Sequence, residues 1–400
     1  MQLDTKRLFI RQFSGDPDGP ELDSGLLEEA EKDLGKHDDI FKPAKLWDLD
    51  SIFKERPEKA SHPTFSDMLP LWIGKKAMEE VSEEVLVKYA PFMQEWDFLD
   101  LFPAYVEQKI GKDYKRRIAD LGTIIDVNLM AKHIKTFQNG HCYMLEIGGG
   151  YGRLAEAFLG VFQKQIKYVL VDTVPASLVY ADLYLRETLK DCSIGFYYRG
   201  HDFDLVKYDC YIMPSIYFER LNKYDFDVSI NIAAMQEMTQ EQIDYYLVLI
   251  DKVTKMQGQI YLSNSRDYRK RRYEYLNTWH LILKRNTPKS WTPHYPVEIF
   301  YKTDQDCTDE NQLVEIQYLK ELCLAYEENY RVRTKVIAEK NERIAKLVSH
   351  KSVIAEKNEI LRSRIEQLSD SCKKLKERNE MLLLRSQKLT ESYKKLKERN

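Results

Sequence analysis

The residues best suited to chemistry in this sequence form a glycine-rich turn. The run reads Glu146-Ile147-Gly148-Gly149-Gly150-Tyr151-Gly152, with an acidic residue two positions before the first glycine. Glycine allows a tight turn, and it lets a ligand lie against the backbone with no side chain in between. A helix that begins after such a turn points its N-terminal amides at the bound group. The turn therefore predicts a cofactor-binding loop that contains Glu146, Gly148, Gly150 and Gly152.

The spacing of these glycines distinguishes between two cofactor classes. A dinucleotide fingerprint, G-x-G-x-x-G, would need its third glycine at position 153. That position is Arg153, and Gly152 comes one residue too early. Asp172 lies 22 residues after Gly150, where an acid can accept hydrogen bonds from ribose hydroxyls in either class. The glycines thus argue against a dinucleotide, and a plain flexible glycine turn is the remaining alternative.

Alternating strand and helix patterns surround the turn. Apolar runs predict strands at 143–147, 167–171, 226–232 and 259–263, and amphipathic runs predict helices at 154–162, 176–188 and 240–254. Such alternation indicates a parallel sheet that is covered by helices on both faces. The predicted fold is α/β with a Rossmann-like sheet. Ligands of such sheets bind outside the carboxyl ends of the strands.

The sequence divides into four regions by composition and periodicity. Residues 1–60 are polar and rich in turn formers, which predicts an irregular segment. Residues 61–135 contain helical patterns and are interpreted as a helical cap or lid. Residues 136–310 form the predicted sheet domain, and residues 311–400 form a predicted coiled coil.

The coiled-coil prediction rests on a heptad repeat. Leucine or isoleucine occupies every seventh position from Leu347 to Leu396, which gives eight consecutive d positions. Basic flanking residues, such as Arg364 and Lys376, would repel each other in a parallel homodimer. A trimer, a polysaccharide-assembly protein with acidic flanks or an anionic membrane surface would relieve this repulsion. A homodimer whose basic residues are only solvated is the remaining alternative.

Composition restricts the class of protein. The net charge of −3 combines a tail with 20 basic and 10 acidic residues over 331–400 and an acidic remainder, which argues against nucleic-acid binding by the body. No stretch approaches the roughly 20 apolar residues that span a membrane. The six cysteines are scattered, with no CxxC pair, which is typical of a reduced cytoplasm. No cluster of metal ligands is visible, and a metal-independent protein is predicted.

Three stretches resemble a known family: LEIGGGYGRLAEAF at 145–158, YVLVDTVPASLVYADLYL at 168–185, and DVSINIAAMQEMTQEQIDYYL at 227–247. They are similar to the sugar O-methyltransferases of bacterial surface-polysaccharide gene clusters. The resemblance implies a class I methyltransferase fold, S-adenosyl-L-methionine as the methyl donor and a sugar or glycan hydroxyl as the acceptor. It also implies that the glycines line the methionine part of the cofactor. The tail resembles the stalks of O-antigen terminating methyltransferases.

Transfer to a hydroxyl often needs a base near the carboxyl ends of the strands. Segment 231–238 closes a predicted strand, so Asn231 is assigned to the cofactor and Glu237 is the first candidate base. His294 is a second candidate and His280 a third, because histidine titrates near neutral pH. Capping of the next helix is the alternative for Glu237, and an ordinary surface or core side chain is the alternative for each histidine.

A different class of function is compatible with the same sequence. A methyltransferase fold without activity could organise a polysaccharide-assembly complex through its coiled coil. Binding of S-adenosyl-L-methionine distinguishes the enzyme from this scaffold. The expected location is the cytoplasm, with peripheral association at the inner face of the membrane as an alternative.

Overall fold

A computed structural model describes residues 23–36, 118–133, 141–265, 272–286 and 296–349, together with residues 54, 68, 71, 369, 373, 379 and 381. The chain divides into two compact units, residues 1–319 and residues 320–400. Most of the predicted lid and most of the predicted coiled coil lie outside the described residues.

The described strands form one mixed sheet. In chain order they are β1 (Cys142–Ile147), β2 (Ile166–Asp172), β3 (Ile194–Phe196), β4 (Cys210–Pro214), β5 (Phe226–Ile232), β6 (Thr254–Ser263), β7 (Trp279–Asn286) and β8 (Pro296–Lys302). Their order across the sheet is β3-β4-β2-β1-β5-β6-β8-β7. Strands β1 to β6 pair in parallel, which confirms the predicted parallel sheet in that part.

The last two strands correct the prediction of a wholly parallel sheet. Strand β8 is antiparallel to both β6 and β7, so the sheet ends in a hairpin. Antiparallel neighbours need no crossover helix. The alternation of strand and helix patterns stops at β6 for this reason, and it carries no signal for the hairpin.

Six described α-helices accompany the sheet: α1 (Ser24–Leu34), α2 (Ile118–His133), α3 (Arg153–Phe162), α4 (Pro175–Thr188), α5 (Gln240–Val253) and α6 (Thr308–Ser349). The predicted helices at 154–162, 176–188 and 240–254 are confirmed to within one residue at each end. Helix α4 begins at Pro175, whose fixed φ suits a first helical turn. Helix α6 confirms that the chain becomes a long helix near residue 312, and its association with a second helix stays a prediction.

Helix α1 corrects the expectation that residues 1–60 are irregular throughout. Leu27, Ala30 and Leu34 are buried on one side of it, at the spacing that an amphipathic helix requires. The Asp23 side chain accepts a hydrogen bond from the N–H of Leu26 and caps the helix. A short apolar stripe and one cap residue are thus enough to order this piece of a polar region.

Apolar side chains cover both faces of the sheet. One core cluster joins α1, α2, α3 and α4 to side chains such as Met144 and Leu170. A second cluster joins α5 to the opposite face, with Leu145 and Val171 among its members. Helices on both faces confirm the predicted layers.

The start of helix α6 is fastened to the hairpin. The Asn311 side chain accepts a hydrogen bond from the N–H of Leu281 at 2.7 Å and donates one to the carbonyl of Trp279 at 2.7 Å. Lys284 pairs with Glu298 at 3.3 Å and also with Glu315. No helix in the described ranges combines the length and the apolar character that a membrane crossing needs.

Candidate functional site

The order of the strands places the topological switch point of the sheet at the carboxyl end of β1. Strand β1 pairs with β2 on one side and with β5 on the other, so the chain winds in opposite directions from this point. Open α/β sheets bind their ligands at such a switch point, outside the carboxyl ends of the strands. The loop after β1 and the turn after β5 therefore form the candidate site.

The loop after β1 has the backbone conformation that its glycines predict. The φ angles are +78° at Gly148, +55° at Gly150 and +88° at Gly152. These values lie in the left-handed region, which side chains with a Cβ rarely adopt. All three predicted glycines are therefore required by the path of the chain itself.

Close contacts add a second requirement at two glycines. A Cβ on Gly148 would lie 2.1 Å from the Cβ of Ala234, which belongs to the turn after β5. A Cβ on Gly149 would lie 2.5 Å from Leu170 and 3.0 Å from the carboxyl of Glu146. The loop thus touches the neighbouring turn with bare backbone, and Gly149 joins the glycines that the sequence analysis had singled out.

Asp172, at the end of β2, is turned toward this loop. One carboxyl oxygen accepts a hydrogen bond from the N–H of Gly150 at 2.9 Å, and the other accepts one from the N–H of Val174 at 2.8 Å. Burial raises the pKa of Asp172 to about 6, although main-chain hydrogen bonds lower it in part. The carboxyl is thus held by main-chain N–H groups at the end of β2, beside the glycine loop, and the ribose contact at Asp172 stays a prediction.

Glu146 lies beneath the loop on β1. It is buried, and its carboxyl accepts a hydrogen bond from the hydroxyl of Tyr168 at 2.8 Å. Burial raises the pKa of Glu146 to about 7, while Tyr168 and then Arg153 lower it to a smaller degree. Glu146 therefore changes its charge near neutral pH, close to the predicted methionine end of the cofactor.

The Asn231 side chain connects the loop after β1 to the turn after β5. Its fully buried side chain donates to the carbonyl of Ile147 at 2.9 Å and accepts from the N–H of Met235 at 3.2 Å. These bonds run to the protein's own chain. Its assignment to the cofactor stays a prediction.

Glu237 lies in a 3₁₀ turn, Met235–Glu237, directly after β5. Its side chain is half-buried. The following helix α5 is capped by Thr239, whose side chain forms a capping box with Gln242, so the helix-capping alternative for Glu237 is wrong. Ala233, just before the turn, has a φ of +62°, a strained value of the kind that clusters at functional sites.

The two histidine candidates have different outcomes. His280 is on β7, which lies four strand positions from β1, or about 19 Å at the usual strand spacing. That distance removes His280 from the candidate site. His294 lies outside the described residues and stays a prediction.

Two buried hydroxyls near Asp172 were missed by the sequence analysis. Ser215 follows β4 directly, and Tyr246 lies on α5; both are buried. Neither hydroxyl makes a hydrogen bond of normal geometry in the described structure. Burial raises the pKa of Tyr246, the Ser215 hydroxyl lowers it in part, and the nearby Asp172 raises it to a smaller degree. Only the strand order brings these residues together, so no local signal could have found them.

No group of three or more histidine, cysteine, aspartate or glutamate side chains among the described residues could hold a metal ion. Metal independence remains a prediction.

Sequence comparison and structure comparison give different results for this chain. No protein-family model matches the chain, and a search of curated proteins gives no match. Similar solved structures include a TehB-like SAM-dependent methyltransferase from Corynebacterium glutamicum, at 14% identity over 54% of this chain and 99% of that one, with a TM-score of 0.30. A methyltransferase from Pyrococcus furiosus is 13% identical over 45% of this chain and 83% of that one, with a TM-score of 0.30.

A third structure, MtNAS in complex with MTA and tNA, is 12% identical over 70% of this chain and 90% of that one, with a TM-score of 0.33. These neighbours are methyltransferases or, for MtNAS, a protein bound to MTA. Their identities and TM-scores are too low to assign this chain to a family.

Proposed function

We propose that this protein is an S-adenosyl-L-methionine-dependent O-methyltransferase that acts on a sugar hydroxyl, in the synthesis of bacterial surface polysaccharide. The observation that carries the proposal is the bare, left-handed loop at Gly148–Gly152, which faces the Asp172 carboxyl at the switch point of the sheet. An alternative is the inactive scaffold, which would share the fold and lack the cofactor.

The residues present fit this cofactor. Gly148, Gly150 and Gly152 keep the loop in a left-handed path with no side chains, which is the backbone that the methionine part would lie against, and Asp172 is placed to accept hydrogen bonds from ribose hydroxyls. The buried hydroxyls of Ser215 and Tyr246 lie near each other and near Asp172, and they are further polar groups at this end of the sheet. When bound, S-adenosyl-L-methionine supplies an electrophilic methyl group on a sulfonium.

Two features argue against the dinucleotide alternative. The third glycine of that fingerprint would fall at position 153, and Arg153 is the first residue of α3. The sheet also ends in the antiparallel β7–β8 hairpin, whereas the classic dinucleotide order ends in a sixth parallel strand.

Glu237 is proposed as the base that takes the proton from the acceptor hydroxyl. It follows β5, which lies on the opposite side of β1 from β2 and the proposed ribose contact at Asp172. A positioned base contributes about 10²- to 10⁴-fold to such a reaction. The larger share is expected from alignment of the two substrates, which the fixed loop and turn provide.

The proposal is tested first by cofactor binding and then by transfer. We expect saturable heat on titration with S-adenosyl-L-methionine, and absence of binding would favour the scaffold. Incubation with methyl-labelled cofactor and candidate nucleotide sugars or glycans should place the label on a sugar oxygen, located by mass spectrometry. Label on protein or on a small molecule of another class would contradict the sugar assignment.

A substitution at Glu237 tests the base. Glu237→Gln should lower kcat by about 100-fold or more, because the amide cannot accept the proton, while the Kd for S-adenosyl-L-methionine should change little. Glu241→Gln, at an exposed position in the first turn of α5, is the matched control and should leave both values unchanged. Full turnover in the Glu237 variant would remove this residue from the mechanism.

We also propose that the tail forms a homo-oligomer, either a dimer or a trimer. On α6, Asn311 and Glu315 contact the hairpin, whereas Leu313, Ile316 and Leu319 are exposed at 67%, 47% and 48%. Exposed apolar rows on a helix are typical of surfaces that associate. Light scattering of the full chain should give a multiple of 47.4 kDa.

Binding to vesicles of anionic lipid tests the proposed peripheral membrane contact from the cytoplasmic side.

A further inference from the structure

Two buried side-chain amides lie between the glycine loop and the turn that carries Glu237. Asn231 is at the end of β5, and Asn264 directly follows the end of β6. Asn264 is 5% exposed, and it donates a hydrogen bond to the side-chain oxygen of Asn231 at 3.0 Å. Nothing in the sequence had singled out Asn264.

The two amides hold successive main-chain groups of the turn. The side-chain oxygen of Asn231 accepts from the N–H of Met235 at 3.2 Å, and that of Asn264 accepts from the N–H of Gln236 at 3.3 Å. The next N–H, that of Glu237, donates to the carbonyl of Ala234 at 3.0 Å. Three consecutive N–H groups that lead to the Glu237 side chain are therefore fixed.

The same amides connect this turn to the cofactor loop. Asn231 donates to the carbonyl of Ile147, the residue before Gly148, at 2.9 Å. On the other side, the side-chain oxygen of Gln236 accepts from the N–H of Ser265 at 2.7 Å. A continuous chain of hydrogen bonds thus runs from the end of β1, through Asn231 and Asn264, to the turn after β5.

The strain at Ala233 explains why the turn needs such fastening. A non-glycine residue at a φ of +62° is unfavourable and persists only where its surroundings hold it. Buried amide groups bond strongly in these surroundings, because they cannot exchange their partners for water. Loss of the Asn264 side chain would leave the N–H of Gln236 without its partner and would allow the turn to relax.

We propose that Asn264 is a positioning residue for methyl transfer, which sets the direction of the Glu237 carboxyl by fixing the Met235–Glu237 turn. The inference rests on the proposed role of Glu237 as the base. Asn264 contacts neither cofactor nor acceptor in this scheme, and it acts only through the turn.

A double-mutant cycle on the full chain tests the proposal. Asn264→Ala should lower kcat by about 10- to 100-fold, the loss that a misplacement of about 1 Å can cause, while the Kd for S-adenosyl-L-methionine changes less than about twofold. In the Glu237→Gln background the same substitution should have almost no further effect, because the base through which it acts is gone. Effects that multiply in the double variant would overturn the proposal.

Two further variants keep the test decisive. Asn311→Ala removes an asparagine that also makes two hydrogen bonds, both of them to main-chain groups of the hairpin, and it should lower the melting temperature with kcat unchanged. If Asn264→Ala does not fold, Asn264→Asp enters the same cycle; it keeps an oxygen for the N–H of Gln236 and loses the donor to Asn231, and an intermediate kcat is expected.

Amide hydrogen exchange separates this inference from the proposed function. The N–H groups of residues 235–237 should exchange faster in the Asn264 variants than in wild type or Asn311→Ala. Unchanged exchange would overturn the positioning role whatever the activity. If the Asn264 variants exchange faster but the wild-type protein transfers no methyl group, the proposed function is refuted. Asn264 would then fix the turn without a role in catalysis.

Discussion

Buried charged groups are stabilised in different ways at the carboxyl end of β1 and at the β7–β8 hairpin. At β1, the loop needs positive φ at three glycines, and two buried acids, Glu146 and Asp172, have raised pKa values. At the hairpin, buried Lys284 has Glu298 at 3.3 Å, and Glu298 accepts a hydrogen bond from Tyr275 at 2.6 Å. The proposed site thus combines left-handed backbone with buried acids whose pKa values are raised, a combination that accompanies function, whereas the hairpin buries its charges as a pair.

The hairpin should be more sensitive in stability than in activity. Lys284→Met should destabilise the fold by about 3–5 kcal/mol, because it removes a cation that pairs with the 4%-exposed Glu298 side chain. Thermal and urea unfolding measure the loss. Adding Glu298→Gln in the same chain should recover much of it, and the Kd for S-adenosyl-L-methionine should stay at the wild-type value in both variants. Weakened cofactor binding would erase the contrast between the two regions.

The loop should respond in both properties. Gly148→Ala should cost about 3 kcal/mol, since the left-handed backbone costs about 1–2 kcal/mol and the added Cβ overlaps Ala234. Cofactor binding should weaken at least about tenfold by titration calorimetry, because the loop must move. Gly200→Ala is the matched control, since Gly200 has a φ of +71° with nothing within 4 Å of a Cβ. It should lose about 1–2 kcal/mol in stability and bind the cofactor normally.

The pH dependence of stability sharpens the comparison further. Burial raises the pKa of Glu146 from 4.5 to about 7, so the folded chain holds a proton that the unfolded chain releases between these values. The stability that this group contributes is therefore present at low pH and is lost as the pH rises through 7. The full loss is at most about 3 kcal/mol.

Glu146→Gln should remove that loss, since glutamine keeps an oxygen for the Tyr168 hydroxyl and has no charge to bury. Melting temperatures of variant and wild type should be similar near pH 4 and diverge in favour of the variant by pH 8. Exposed Glu241→Gln should follow the wild-type curve throughout. Parallel curves for Glu146→Gln and wild type would mean that Glu146 is not buried as described.

Sequence reasoning found the parts of the fold that are periodic and local. A few neighbouring residues were enough to predict the Gly148–Gly152 loop, Asp172 and strand β5. In each case the backbone conformation or the strand–helix alternation restricts the residue type. Strands β3 and β4 are only three and five residues long, and they gave no such pattern. The hairpin was missed because antiparallel pairing leaves no helix between its strands.

The candidate site divides along the same line. The glycines, which the path of the backbone requires, were predictable from the sequence, whereas Ser215, Tyr246 and Asn264 come from three separate parts of the chain. Their roles depend on strand order and burial, which no short window of sequence contains. For Glu237, the sequence left base and cap equally open, and the capping box at Thr239 decided against the cap.

The edges of the sheet bear on how this protein behaves in concentrated solution. At one edge β3 is three residues long, and at the other the Asn311 amide occupies the N–H of Leu281 and the carbonyl of Trp279. Unpaired strand edges recruit strands from other molecules and start aggregation. A shortened chain that ended before Thr308 would lose these two hydrogen bonds and would expose the edge of β7 to pairing with strands of other molecules. The helix that begins at Thr308 therefore also protects this edge of the sheet from aggregation.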